Sequence, residues 1–195
     1  MAYKTLRFRI TGVRPLLMHN GALANPLNHF SKAIKAVSSK RNKTDADHEE
    51  MARLEFLGGL WLDKGEPCIP SEAIESCFTS AARKNRQGKQ AQAGVIVPEH
   101  ACLQYEGPRS PEEMWKTGDW ESQGGMAFVS MVRVQRNKIA RTRCRFDEWS
   151  AEFDLQYRDD LMNESEVIST MSRAGEQCGL GDWVPKFGLF MAERV

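Results

Sequence analysis

With 27 Lys and Arg set against 26 Asp and Glu in 195 residues, the chain has a net charge of only +1, which excludes a generally basic, non-specific nucleic-acid binder. The length suits one domain with a sizeable core, residues 1–195, rather than two full domains. The 5 cysteines, at 68, 77, 102, 144 and 178, form no Cys-x-x-Cys or Cys/His cluster. They are expected to be small buried apolar side chains in a reducing, cytoplasmic setting, with no structural metal and no cofactor. No apolar run reaches membrane-spanning length, and Met1 to Arg9 hold no signal-peptide core.

In chain order, Leu6, Phe8 and Ile10 alternate with Thr5, Arg7, Arg9 and Thr11, predicting a half-buried strand over Lys4 to Val13. Asn25-Pro26 reads as an N-cap with proline at the first helical position, opening a helix with the stripe Leu27, Phe30, Ala33, Ile34 and Val37. A second helix is predicted from Asp45 to Leu57, ending at Gly58-Gly59. A hairpin turn follows at Asp63-Lys64-Gly65-Glu66. Pro70-Ser71 then caps a helix whose apolar face runs from Ala73 to Ala82 and whose end carries Arg83, Lys84, Arg86 and Lys89. Val95 to Tyr105 reads as extended. Gly107 to Gly125 reads as an irregular loop with a helical turn near Pro111 to Trp115.

Between Met131 and Phe146 stand six basic residues and no acid: Arg133, Arg136, Lys138, Arg141, Arg143 and Arg145. Alternation about a turn near Asn137 predicts a two-stranded ribbon with a basic face. Arginines every second residue recur at roughly 6 to 7 Å, near the phosphate spacing of an extended single strand. A charged edge ribbon guarded against aggregation is the other reading. Trp149 to Arg158 alternates as a strand, and Asn163 with Glu166 marks the start of a helix burying Val167, Ile168, Met171 and Ala174.

That helix runs into Gly179-Leu180-Gly181-Asp182-Trp183, and Gly188 precedes a last strand. Such a loop is either a helix C-cap or a backbone concavity whose N–H groups take phosphate. Trp183 either stacks on a base or plugs the loop. Neither His19 nor His29 has a convincing acid-base partner nearby in sequence, so no catalytic residue is assigned. Strand, helices, strand, ribbon, strand, helix, strand reduces to an α+β, ferredoxin-like (RRM-like) core with a helical insertion and a basic β-ribbon thumb.

Three segments carry a family likeness. Ile69-Pro70-Ser71 leading to Ala81-Ala82-Arg83, the terminal Gly179-Leu180-Gly181 with Lys186-Phe187-Gly188, and Arg14-Pro15-Leu16-Leu17-Met18-His19-Asn20 together resemble the RAMP superfamily, and in particular the RNA-coating backbone subunits of CRISPR effector complexes, antiviral ribonucleoproteins. The resemblance implies a fingers insertion at about 26–58 and a thumb at about 107–146. It further implies head-to-tail polymerisation along a guide RNA, contact with target DNA or RNA, and other effector subunits as partners. On that footing Arg133, Arg136, Lys138, Arg141, Arg143 and Arg145 line the thumb. Arg14, His19 and Asn20 meet RNA beside the first helix, Arg83 and Arg86 meet phosphates, Gly179 and Gly181 offer N–H groups, and Trp183 offers its ring. The alternatives are a metal-independent RAMP endoribonuclease using His19 or His29, and a phage-type protein-interaction module.

Overall fold

The computed structural model describes residues 3–119, 124–134 and 137–195, with 133, 134 and 137 described through their backbone. In chain order the elements are β1 (Tyr3–Gly12), β2 (Leu16–Met18), a 3-10 turn (Gly21–Ala24), α1 (His29–Ser38), α2 (Asp45–Gly59), β3 (Leu62–Asp63), β4 (Glu66–Ile69), α3 (Ser71–Lys84), α4 (Gly88–Gly94), β5 (Val95–Ile96), β6 (Ala101–Gln104), α5 (Pro111–Lys116), β7 (Ala127–Val134), β8 (Asn137–Phe146), β9 (Ser150–Arg158), α6 (Glu164–Gln177) and β10 (Phe190–Arg194). This is an α+β protein with antiparallel sheets. It divides into two compact units, one made of residues 1–17, 62–106 and 146–195, the other of 18–61 and 107–145. The helical segment and the basic ribbon, which the sequence presents as separate insertions, thus belong to the same unit.

In the first unit the strands lie in the order β10-β1-β9-β6-β4-β3, with β5 also on β9. The β1–β9 register sets Leu6 opposite Leu155, Phe8 opposite Phe153 and Ile10 opposite Ala151. Period-two alternation therefore gathers one buried apolar face. On the other face Arg9 reaches Glu152 at 2.6 Å and Arg7 reaches Glu152 at 3.3 Å. α3 and α6 pack on each other, α3 also on β5 and α6 on β10. α6 opens on a reciprocal capping box: the Asn163 carboxamide oxygen accepts the Glu166 N–H at 3.0 Å, and the Glu166 carboxylate accepts the Asn163 N–H at 2.8 Å. α3 has no side-chain cap. Ser71 lies inside the helix rather than at its cap, and its orphan N–H donates to His100 Nδ1 at 3.1 Å.

The second unit corrects one helix start. Asn25 closes a local turn, its side-chain oxygen accepting the Leu27 N–H at 2.9 Å, so Asn-Pro initiates a turn instead of α1. Asn28 caps α1, accepting from Phe30 N–H at 2.9 Å. Leu27, outside the helix, is 74% exposed instead of heading its apolar stripe. α1 packs on α2 where Gly58 clears space: a Cβ there would stand 2.8 Å from the Phe30 side chain. α2 buries Leu54, Phe56 and Leu57, and Phe56 meets Trp115 of α5 with ring centroids 5.5 Å apart. β7 and β8 form the antiparallel ribbon, with Ala127 opposite Cys144 and Arg133 opposite Lys138.

The N-terminus of α2 has a pH limit. Its capping box joins Thr44 and Asp47, and Lys40 reaches the same carboxylate at 2.6 Å. The hydrogen bond from Lys40, then that from the Thr44 backbone, hold Asp47 down at about 2. A carboxylate with a depressed folded pKa contributes its stability in full above the ordinary value near ~3.9 and loses it as pH falls through the folded value. Exchange protection of the Thr44 amide should therefore persist at about pH 4.5 and be about half lost near pH 2. Asp47→Ala should remove it at both.

Candidate nucleic-acid interface

Within the second unit, α1, α2, the 3-10 turn and β8 enclose a cleft of about 450 Å³. Among the described residues its walls carry Lys35, Arg141, Arg143 and His19 against one acid, Glu55, with the hydroxyls of Ser31 and Ser38 between. Arg141 and Arg143 stand two residues apart on one strand, so their stems leave the same face. That face is covered, not open to solvent as the sequence suggested. Arg143 is only 8% exposed, with Nη1 donating to the Thr142 carbonyl at 3.0 Å. Arg141 is half-buried and donates to Glu55 at 2.5 Å, while the other Glu55 oxygen accepts the Thr142 N–H at 2.8 Å. Glu55 therefore fixes one guanidinium and the strand that bears it. Arg145 is half-buried, its guanidinium 5.3 Å from the Phe128 ring centroid.

A cleft of this size suits a nucleotide-sized group. Two guanidiniums and an ammonium give it donors for phosphate and sugar oxygens, while the Ser31 and Ser38 hydroxyls donate to the carbonyls of Leu23 at 2.8 Å and Lys35 at 3.2 Å. Lys35 and Lys138 are exposed. The side chain of Arg133 is not described, and Arg136 lies outside the described residues. Asn20 is committed to structure. Its oxygen accepts the Ala22 N–H at 2.9 Å and its amide donates to the Leu60 carbonyl at 3.2 Å.

The glycine loop of the first unit is a closed construction. The Gly179 N–H donates to the Ala174 carbonyl at 2.9 Å, so this residue is a helix C-cap in the left-handed region, φ +80, and its N–H is not on offer. Gly181, at φ +85, lies where a Cβ would be 2.3 Å from the Leu17 carbonyl oxygen. Asp182 N–H donates to Leu17 and Gly188 N–H to Pro15, both at 2.8 Å. Arg14 grips the far side, donating to the carbonyls of Pro185 at 3.1 Å and Lys186 at 3.3 Å. What the loop presents outward is Trp183. It is 45% exposed, held at φ +58, with the Lys186 ammonium 4.1 Å from its ring centroid. A non-glycine residue in the left-handed region costs of order 1–3 kcal/mol and is kept where its surroundings fix it.

Arg83 and Arg86 are exposed on separate hollows of the same unit. Arg83 shares one with Glu72 and Glu75, and Arg86 shares the other with Lys84 and Glu166. Leu17 and Met18 are wholly core. His29 is exposed and meets Phe30 edge-on at 5.3 Å. Lys35, Glu55 and Lys186 went unrecognised in the sequence. Lys35 had Lys32 and Lys40 nearby as a weak signal, whereas Lys186 has no basic neighbour and Glu55 had no signal, since its partner is 86 positions away.

Among the described residues no group of three or more His, Cys, Asp or Glu is placed to hold a metal ion, and no helix is long and apolar enough to cross a membrane. No protein-family model matches the sequence, and no curated protein matches it. One solved structure similar to the chain is the crystal structure of Cmr6 from Pyrococcus furiosus, at 10% identity and a TM-score of 0.40, covering 99% of this chain and 100% of that one.

Proposed function

We propose that the chain is a single-stranded RNA-binding subunit that coats RNA in head-to-tail copies, as the backbone subunit of a CRISPR-type ribonucleoprotein. The observation that carries this reading is the cleft where Lys35, Arg141, Arg143 and His19 converge on space for a nucleotide beside the carboxylate of Glu55. In a chain of net charge +1, such local concentration is a device for an anionic ligand rather than a by-product of composition. The rigidly held Trp183 beside Lys186 supports it from the first unit as a stacking surface next to a cation. The core is read as ferredoxin-like. Supporting that is the chain order β1, α3, β6, β9, α6, β10 with the spatial order β10-β1-β9-β6. We read the protein as a binder and not an enzyme, because Lys35, Arg141 and Arg143 line the cleft with donors suited to holding an anion.

Polymerisation on RNA is testable directly. Protein incubated with a long single-stranded RNA should scatter light as a large particle and return to a small species on nuclease treatment. One unchanged small particle in both conditions would rule out coating.

A further inference from the structure

The five cysteines are not equivalent: Cys68, Cys77 and Cys144 are buried, Cys178 is half-buried, and Cys102 is exposed. Cys68 on β4 and Cys102 on β6 are direct partners in the antiparallel register, next to the pair Ile69 and Ala101. Residues directly opposite on such a ladder share a face, with Cα atoms about 4.5 to 5.5 Å apart and Cβ atoms at about the same separation. A disulfide needs a Cα separation of roughly 4.4 to 6.8 Å and a Cβ separation of about 3.5 to 4.5 Å, so the ladder comes within about an ångström of closing distance without breaking. Both thiols line one hollow of about 300 Å³, with Asp63, Lys64, Glu66 and His100 around it.

We propose that Cys102 and Cys68 form a thiol-modification site, in which Cys102 takes up a small-molecule disulfide and Cys68 resolves it into a cross-strand disulfide. Exposure makes Cys102 the entry point. Burial, with lesser contributions from Asp63, Cys102 and Glu72, pushes the Cys68 thiol up to about 11, which keeps it protonated and slow toward an outside disulfide, so that it reacts only through its proximity to Cys102. The Cys102 thiolate attacks glutathione disulfide, forming a Cys102–glutathione mixed disulfide and expelling one glutathione thiolate. The Cys68 thiolate then attacks Cys102 Sγ and expels the second. Two protein thiols are oxidised, one glutathione disulfide is reduced to two glutathiones, and the two protons end on them or on solvent.

The pair stands at the end of β4, and Pro70 and α3 follow Ile69 directly. A bond there would staple β4 to β6 at the point where the helix leaves the sheet.

The test is intact-protein and peptide mass spectrometry after incubating folded protein with glutathione disulfide. Wild type should lose two thiols and yield a Cys68–Cys102 linked peptide with no retained glutathione. Cys68→Ala should stop at a stable glutathione adduct on Cys102, and Cys102→Ser, a change at an exposed position, should take up nothing at residue 68. Wild type that stays fully reduced, keeps a stable adduct, or pairs other cysteines would overturn the proposal. If Cys68→Ala does not fold, wild type and Cys102→Ser decide alone, because a linked peptide in the first and no adduct at residue 68 in the second are both required.

Discussion

Gly188→Ala should lower the melting temperature by roughly 6–12 °C. A Cβ at this position would stand 1.7 Å from the Leu180 carbonyl oxygen, and the backbone sits at φ +73. Neither contact can be relieved by turning a side chain. The Leu180 N–H donates to Gly188 at 2.9 Å and Gly188 to Pro15 at 2.8 Å, so any shift breaks bonds that join the loop to the Arg14–Leu17 segment. Strain of the left-handed region plus lost hydrogen bonds amounts to about 3 kcal/mol, and each kcal/mol moves the midpoint by about 2–4 °C in a chain of this size. Gly21→Ala is the control. Nothing lies within 4 Å of its added Cβ, and the melt should hardly change. Thermal denaturation followed by circular dichroism measures both, and equal midpoints would mean that the terminal loop does not close on that segment.

The same contrast explains what the sequence made legible. Strands β1 and β9 are readable because their alternation repeats over many residues and each is buried on one side, and α6 is readable because Asn163 and Glu166 form its cap locally. α4 was missed. Its residues, Gly88 to Gly94, are glycine, alanine, glutamine and lysine, which carry no apolar stripe and no cap. The start of α1 was misplaced because Asn20, Asn25 and Asn28 all make the same short-range hydrogen bond, and only the tertiary contacts decide which one opens a helix.

The candidate site divides along the same line. That Arg141 and Arg143 share a face follows from spacing alone. That this face is walled by α2 does not, because it depends on Glu55, which nothing near it in sequence marks out. The glycines run the other way: their pattern resembles an anion nest, but the Gly179 N–H is spent on the end of α6, and Gly181 stands where the Leu17 carbonyl comes close.

Burial also changes how the site must be probed. Replacing Arg141, Arg143 and Arg145 together would remove the Glu55 ion pair and leave Glu55 half-buried without its charged partner, so lost binding could not be told from lost folding. Lys35 and Lys138 are exposed, and removing them should leave the melt unchanged. The most direct test is the salt dependence of RNA binding, measured by fluorescence anisotropy of a labelled single-stranded RNA with wild type and with the Lys35→Gln, Lys138→Gln double variant. Each neutralised phosphate contributes roughly −0.7 to the slope of log K against log salt, so the variant should bind with a slope shallower by about 1.4 and an unaltered melting temperature. Wild type that does not bind, or a folded double variant that keeps the wild-type slope, would contradict the assignment of RNA binding to the basic side chains of the second unit.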